Sequence, residues 1–251
     1  MLDGKRIVVV MPAYNAAATL ERTWREVMAQ GVVDAVVVVD DGSRDETVAI
    51  ARTLPHTLLH VHERNRGYGA NQKTCYRLAL EQGADVAIMV HPDYQYTPAL
   101  IPSMAQLIVS GRCDCVLGSR ILGGRALAGG MPVWKFASNR VLTTLGNLAF
   151  GARLSEHHTG YRAFSRRLLE QIDVSHNSED FVFDNQMLAQ VLWRRFVVLE
   201  VACPTKYFPE ASSIGFARSV RYGLGCLAVF AQFALARAGW RGSRLFPPHV
   251  R

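Results

Sequence analysis

Along the first 120 residues, short apolar runs alternate with longer segments whose apolar positions recur every three or four residues. The runs Arg6–Met11, Ala35–Val39, Leu58–His62, Asp85–Val90 and Cys115–Leu117 predict strands. Between them, Thr19–Gln30, Asp45–Leu54, Ala70–Gln82 and Pro98–Ser110 predict helices. Alternation at this spacing means βαβ units, hence an α/β fold with a mostly parallel sheet. Val36–Val39, four β-branched residues in a row, reads as a strand buried on both faces. Asp45 and Thr97 suit helix N-caps, and Pro98 suits a first helical position.

From Gly118 the pattern changes. Gly118–Pro132 holds five glycines and reads as a loop. A helix near Val133–Phe150 follows, then the irregular segment Leu154–Phe164 and a helix near Asp180–Arg194. Short strands near Val197–Val201 and Thr205–Phe208 come next. The pattern divides the chain into a body of residues 1–210 and a C-terminal helical segment of residues 211–251. Within that segment Ser219–Trp240 is apolar between arginines. Its uninterrupted core, Tyr222–Ala236, is about 15 residues, short of the roughly 20 that span a bilayer. An interfacial helix, or one packed on the body, is the expectation.

The chain has 251 residues, 49% hydrophobic and 20% charged, ample for a full core. No apolar leader precedes the first strand, and five scattered cysteines fit free buried thiols, so a cytoplasmic chain is expected. The net charge of +7 is unevenly placed: after Glu210 there is no acid, while Arg218, Arg221, Arg237, Arg241, Arg244 and Arg251 all lie there. This argues against nucleic acid as a partner and for an anionic partner, such as a lipid phosphate or membrane surface, met by the C-terminus.

Candidate chemistry gathers where predicted strands end, because ligands of open α/β sheets bind at carboxyl ends of strands. Met11-Pro12-Ala13-Tyr14-Asn15 ends the first strand with an aromatic and an amide able to cover and hydrogen-bond a base. Asp40-Asp41-Gly42-Ser43 ends the second. Two adjacent acids repel, so base N–H groups, ribose hydroxyls or a cation are expected to compensate them. Capping of the next helix by Asp41 and Ser43 would explain one acid only. Gly67 and Gly69, with Lys73 one turn further, open a helix and can bring N–H groups to a phosphate, although a plain turn has the same look. His91-Pro92-Asp93-Tyr94-Gln95 ends the fourth strand, and period two puts His91, Asp93 and Gln95 on one face of an extended segment. Those three can hold Mg²⁺ or Mn²⁺.

Ser119 and Arg120 end the fifth strand, and His157 to Arg162 form a polar knot in which at most one of the adjacent histidines faces a given site. Asp180 and Asp184 lie four apart, on one helix face, where either can approach an acceptor.

In series, P-x-Y-N, DDGS-x-D-x-T, N-x-G-x-G, D-x-Q before a proline, GSR and TGYR-AF resemble the inverting glycosyltransferases of family 2, over residues 6 to about 165. The nearest branch is that of the polyprenyl-phosphate (dolichyl-phosphate) mannosyl- and glucosyltransferases. The resemblance implies the GT-A fold, Rossmann-like, with an acceptor-side extension: a donor-binding half of about 1–120 and an acceptor-side half of about 121–210. It implies a GDP- or UDP-hexose donor. Pro12, Ala13, Tyr14, Asn15, Asp40, Asp41, Gly42, Ser43, Gly69, Lys73 and Pro92 are expected at the donor. His91, Asp93 and Gln95 are expected at the metal, and Ser119, Arg120, Ser138, Arg140, His158 and Arg162 at the acceptor. Asp93, Arg120 and Asp184 are the expected catalytic groups. Two departures stand out: His91 replaces the first acid of the metal unit, and Ala16 replaces the glutamate after P-x-Y-N.

A polyprenyl phosphate acceptor, whose second pKa lies near 6, needs no general base; a hydroxyl acceptor would need a carboxylate such as Asp184 or Asp180. A nucleotide-sugar-binding protein without turnover is the alternative that the His91 replacement raises. Peripheral attachment to the cytoplasmic membrane face and a homo-oligomer are compatible with this reading.

Overall fold

The computed structural model describes residues 1–204 and 215–248. One seven-stranded sheet carries the fold: β1 (Ile7–Ala13), β2 (Ala35–Asp40), β3 (Thr57–Val61), β4 (Val86–Met89), β5 (Cys115–Ser119), β6 (Arg162–Ser165) and β7 (Val198–Ala202). Their spatial order is β3-β2-β1-β4-β6-β5-β7. All pairings are parallel except those of β6, which runs antiparallel to both β4 and β5. The helices are α1 (Leu20–Met28), α2 (Thr47–Thr53), α3 (Tyr68–Glu81), α4 (Ile101–Val109, after a 3₁₀ turn at Pro98–Leu100), α5 (Val133–Phe150), α6 (Arg166–Gln171), α7 (Phe183–Trp193) and α8 (Phe216–Arg237). The expected strand at Thr205–Phe208 lies outside the described residues.

The alternation of side chains along buried strands fills two layers. Ile7, Val9, Met11, Val36 and Val38 face α1 and α4, while Val8, Val10, Val37 and Val39 face α3 and α7. A third cluster joins Phe150 of α5, Trp193 of α7 and Val229, Phe230 and Phe233 of α8, closed by Leu245 and Phe246. All five cysteines are buried and free. Thr97 accepts from Ala99 N and Pro98 follows it, as expected for a helix start; α2 instead begins at Thr47, whose N–H and hydroxyl both go to Asp45.

One feature of register prepares the site. β1 pairs with β2 out to Ala13↔Asp40, but its pairing with β4 stops at Val10↔Met89. Beyond that register the two strands part, and the connection from β1 leads to β2 on one side while that from β4 leads to β5 on the other, the arrangement at which open α/β sheets place their ligands. Pro12 lies beyond the last pairing with β4, so its missing N–H costs the sheet no bond there.

Candidate active site

Asp40 is the last residue of β2 and is fully buried. Its Oδ2 accepts from Gly42 N at 3.1 Å and Ser43 N at 2.9 Å. Its Oδ1 is buried and meets no hydrogen-bond partner among the described residues. Asp41 points the other way, as consecutive residues at a strand end do. One of its oxygens takes His62 Nδ1 at 2.7 Å and Arg66 N at 2.9 Å, and the other takes Gly67 N at 2.9 Å. The expectation that both acids await a ligand is thus corrected: the chain itself compensates Asp41, through an imidazole and two amides. Gly42 has φ +75°, and a Cβ there would stand 2.9 Å from Asn65 N, so both conformation and space require glycine.

The β1 loop is stitched to the β2 loop. Asn15, at φ +50°, donates its N–H to Ser43 Oγ at 2.8 Å and accepts from Arg44 N at 2.9 Å. Ala13 is buried, whereas Tyr14 is half exposed beside Asp40's strand end. The amide of Asn15 and the hydroxyl of Ser43 therefore shape the loop, and the Tyr14 ring stays exposed beside it.

The glycines near α3 do something other than approach a phosphate. Gly67 N donates to Asp41, and Gly69 N donates to Glu179 O at 2.7 Å. A Cβ on Gly67 would lie 2.5 Å from Glu179 O, and one on Gly69 would lie 2.2 Å from Ser178 O. Lys73 Nζ is likewise tied to Asn177 O at 2.6 Å and to the Glu179 carboxylate at 2.7 Å. All three serve the contact between α3 and the segment ahead of α7.

After β4 the chain turns instead of extending. Tyr94 adopts φ +62° and Asp93 Oδ1 accepts from Gln95 N at 3.1 Å, an Asx-type turn. His91, Asp93 and Gln95 therefore do not alternate along one extended face; a left-handed Tyr94 was not visible in the residue types. Pro92 O accepts from the Thr19 hydroxyl, fixing the turn to the start of α1. His91 Nε2 lies 3.1 Å from the Tyr68 hydroxyl, which donates to Asp184 Oδ2 at 2.7 Å. Gln72 Nε2 donates to Asp184 Oδ1 at 3.0 Å. Burial, then the Asp184 charge, holds the Tyr68 phenol protonated well above its usual range. Asp180 is exposed and precedes α7, so it and the buried Asp184 do not share a helix face as expected. Both Asp184 oxygens are already occupied.

No group of three or more His, Cys, Asp or Glu side chains among the described residues is placed to hold a metal by itself. The set expected at the β4 end is one imidazole, one carboxylate and one amide, those of His91, Asp93 and Gln95, donor types that suit a divalent cation only when a ligand's own oxygens complete the shell.

On the acceptor side, Ser119 is fully buried, bonded to Ser155 Oγ at 2.6 Å and capping Ile121 N and Leu122 N. Arg162 is also fully buried; its guanidinium donates to Thr159 O at 2.8 Å, Asp184 O at 2.6 Å and His157 O at 3.0 Å. Neither offers a surface to an acceptor, a correction with one cause: each is needed to satisfy carbonyls or amides of loops that bend sharply beside the sheet. Arg120 is held by the carboxylate of Glu156, with Nε at 2.8 Å, and by His158 O at 2.8 Å. Arg140 reaches Ser155 O at 2.5 Å, and Ser138 stands exposed on α5. His158 Nδ1 meets the Tyr222 hydroxyl of α8 at 2.7 Å, and its Nε2 is buried without a partner among the described residues. Burial, with His157, Arg120 and Arg162 nearby, pushes the His158 pKa well down; burial and Arg162 push that of His157 down to about 4.

Sequence reasoning missed Glu156, which is fully buried and accepts from Arg120 N at 2.7 Å and Asn139 Nδ2 at 2.7 Å. A signal existed, since Glu156 is the one acid between Asp114 and Glu170. Tyr68 and Gln72 were missed as well, and only the fold brings them to His91 and Asp184.

Against known proteins, residues 8–173 match the model of "Glycosyl transferase family 2". A UDP-N-acetylglucosamine–dolichyl-phosphate N-acetylglucosaminyltransferase of Methanococcus voltae is 28% identical over 67% of this chain and 73% of its own. A polyprenol monophosphomannose synthase of Mycolicibacterium smegmatis is 26% identical over 78% of this chain and 76% of its own. Among solved structures, glucosyl-3-phosphoglycerate synthase from Mycobacterium tuberculosis, in complex with Mn²⁺, UDP and phosphoglyceric acid, superposes with a TM-score of 0.70 at 17% identity, covering 92% of this chain and 79% of that one. The likeness to that structure is one of fold.

Proposed function

The chain belongs to glycosyl transferase family 2, and on that premise we propose that it moves a hexose from a UDP-linked donor to a polyprenyl phosphate at a membrane surface, inverting the anomeric centre. The donor half would be residues 1–120 and the acceptor half 121–210, with 211–251 as the membrane-facing segment. The observation that carries the donor reading is Asp40 Oδ1: a buried carboxylate oxygen without a partner among the described residues, at the carboxyl end of β2 opposite Ala13 of β1, calls for an N–H donor such as a base imide. Tyr14 supplies an open ring beside it. Gln95, Asp93 and His91 would hold the pyrophosphate through a divalent cation. When bound, that cation would neutralise the departing diphosphate.

The acceptor reading rests on a face. Val133, Trp134, Val141, Leu145 and Leu148 of α5 are exposed, as are Val220, Leu224, Leu227 and Leu235 of α8, which packs beside it. No acid occurs from Cys115 to Ser155 or after Glu210, so the two segments that carry the apolar face bring only basic charges of their own. α8 forms a longer apolar helix than expected: Arg218–Arg237 suffices by length and composition to cross a membrane. Cys226, Val229, Phe230 and Phe233, however, are buried against α5 and α7. A helix anchored by that side would lie along the surface with its other side in lipid.

A lipid phosphate is already ionised at pH 7 and attacks without a general base. Asp184, with both oxygens taken by Tyr68 and Gln72, agrees with a reaction that asks for no base. The test is transfer from radiolabelled UDP- and GDP-hexoses, with Mn²⁺, to undecaprenyl phosphate in mixed vesicles or to soluble hydroxyl acceptors. Label in an acid-labile lipid product is expected; label only in a soluble product would overturn the acceptor, and no turnover with any donor would overturn the activity.

A further inference from the structure

The surroundings of His91 are built for an imidazole. A Cβ on Gly160 would stand 2.5 Å from His91 Nε2, so the loop ahead of β6 leaves room for the ring only because that residue is glycine. Tyr68, the first residue of α3, lies against the ring with centroids 5.5 Å apart and planes 18° apart. Its hydroxyl sits 2.7 Å from Asp184 Oδ2 and 3.1 Å from His91 Nε2. Asp184 is anchored in turn by Gln72, whose Oε1 accepts from the Tyr76 hydroxyl at 3.1 Å.

Counting protons along these groups fixes the imidazole. A tyrosine has one hydroxyl proton, and an ionised carboxylate only accepts. The shorter bond sends the Tyr68 proton to Asp184. The Tyr68 oxygen can then only accept from His91, so Nε2 carries the ring proton and Nδ1 is left with its lone pair. We infer that Tyr68, held by Asp184, is a positioning residue that locks His91 as the Nε2–H tautomer and so presents Nδ1 as a ligand to the divalent cation, an assignment that rests on the cation reading above. Metal-binding histidines commonly donate their second N–H to a carboxylate, and losing such outer partners typically lowers metal affinity about 10- to 100-fold. Here a tyrosine stands between the two. It lets a histidine on a turn and a carboxylate on α7 act together.

Tyr68→Phe keeps the ring and removes the hydroxyl. Full-length protein labelled with ¹⁵N-histidine reports the tautomer directly, with His91→Asp assigning the signal; Mn²⁺ titration in the presence of UDP, followed by electron paramagnetic resonance, reports affinity. The wild type is expected to show His91 protonated at Nε2 alone. Tyr68→Phe should show mixed tautomers and bind Mn²⁺ about tenfold more weakly. In a His91→Asp background, Tyr68→Phe should change Mn²⁺ affinity no further. An Nδ1–H tautomer in the wild type, or equal Mn²⁺ affinity with and without the hydroxyl, overturns the assignment alone. A wild type that takes up no Mn²⁺ overturns it together with the cation reading.

Discussion

His62 Nδ1 lies 2.7 Å from Asp41 Oδ1, both groups buried, so an imidazole just past β3 is hydrogen-bonded to an acid just past β2. Asp40, its neighbour, keeps one oxygen unanswered. Two adjacent carboxylates thus divide the work: Asp41 holds the loop after β3, while Asp40 holds the turn at Gly42 and Ser43 with one oxygen and keeps the other unpaired among the described residues.

The division predicts opposite phenotypes. Asp40→Asn should lower UDP affinity by about 1.5–3 kcal/mol, the worth of a hydrogen bond to a charged group, with little change in stability. Asp41→Asn should cost about 1–3 kcal/mol of stability by disturbing buried donors. Calorimetry and urea unfolding of both variants check this; an Asp41 variant of wild-type stability would contradict it.

Gly69→Ala should destabilise by about 1–3 kcal/mol, because the new methyl meets Ser178 O at 2.2 Å and that contact is backbone. The urea midpoint should fall with m unchanged. If the glycine instead served a phosphate, stability would hold and nucleotide affinity alone would drop.

Glu156→Leu should cost about 3–5 kcal/mol by leaving Arg120 without its buried partner. The removed carboxylate also accepts from Asn139 of α5, so protease sensitivity between β5 and α5 should rise. Unchanged proteolysis there would refute the linkage.

Stability should rise with pH between about 4 and 6.5. His157 and His158 both have folded-state pKa values below the unfolded 6.5, so the unfolded chain binds more protons in that window. Their stabilising contribution is fully present above pH 6.5 and is lost as pH falls toward the folded values. For His157 the loss amounts to about 1.4 kcal/mol per pH unit. Urea unfolding at pH 7.5 and 5 measures the slope, which His157→Asn should reduce.

Much of the sheet was legible because its strands are buried on both faces: Val36–Val39 and Val86–Val90 have no polar face to confuse a reader. β6 was not, since it is four residues long and starts with an arginine whose guanidinium is satisfied by two carbonyls just upstream and one on α7. The carboxyl ends of β1, β2 and β4 fall near where the sequence pattern put them, because buried apolar runs mark the strands. What those residues touch was less legible. Gly67, Gly69 and Lys73 look like a phosphate loop, yet Gly67 N turns back to Asp41 while Gly69 and Lys73 meet residues 177–179, more than 100 positions downstream. The turn after β4 depends on one left-handed tyrosine that no residue pattern announces.

The inserted antiparallel strand also bears on how the molecule is assembled during synthesis. β1, β2, β3 and β4 pair among themselves and are complete by Met89. β5 finds hydrogen-bonded neighbours only in β6 and β7, so its edges stay open until residues 162–202 have left the ribosome. The half built on β1 to β4 can mature on the nascent chain, and the half built on β5, β6 and β7 closes last, near the time the basic helix emerges.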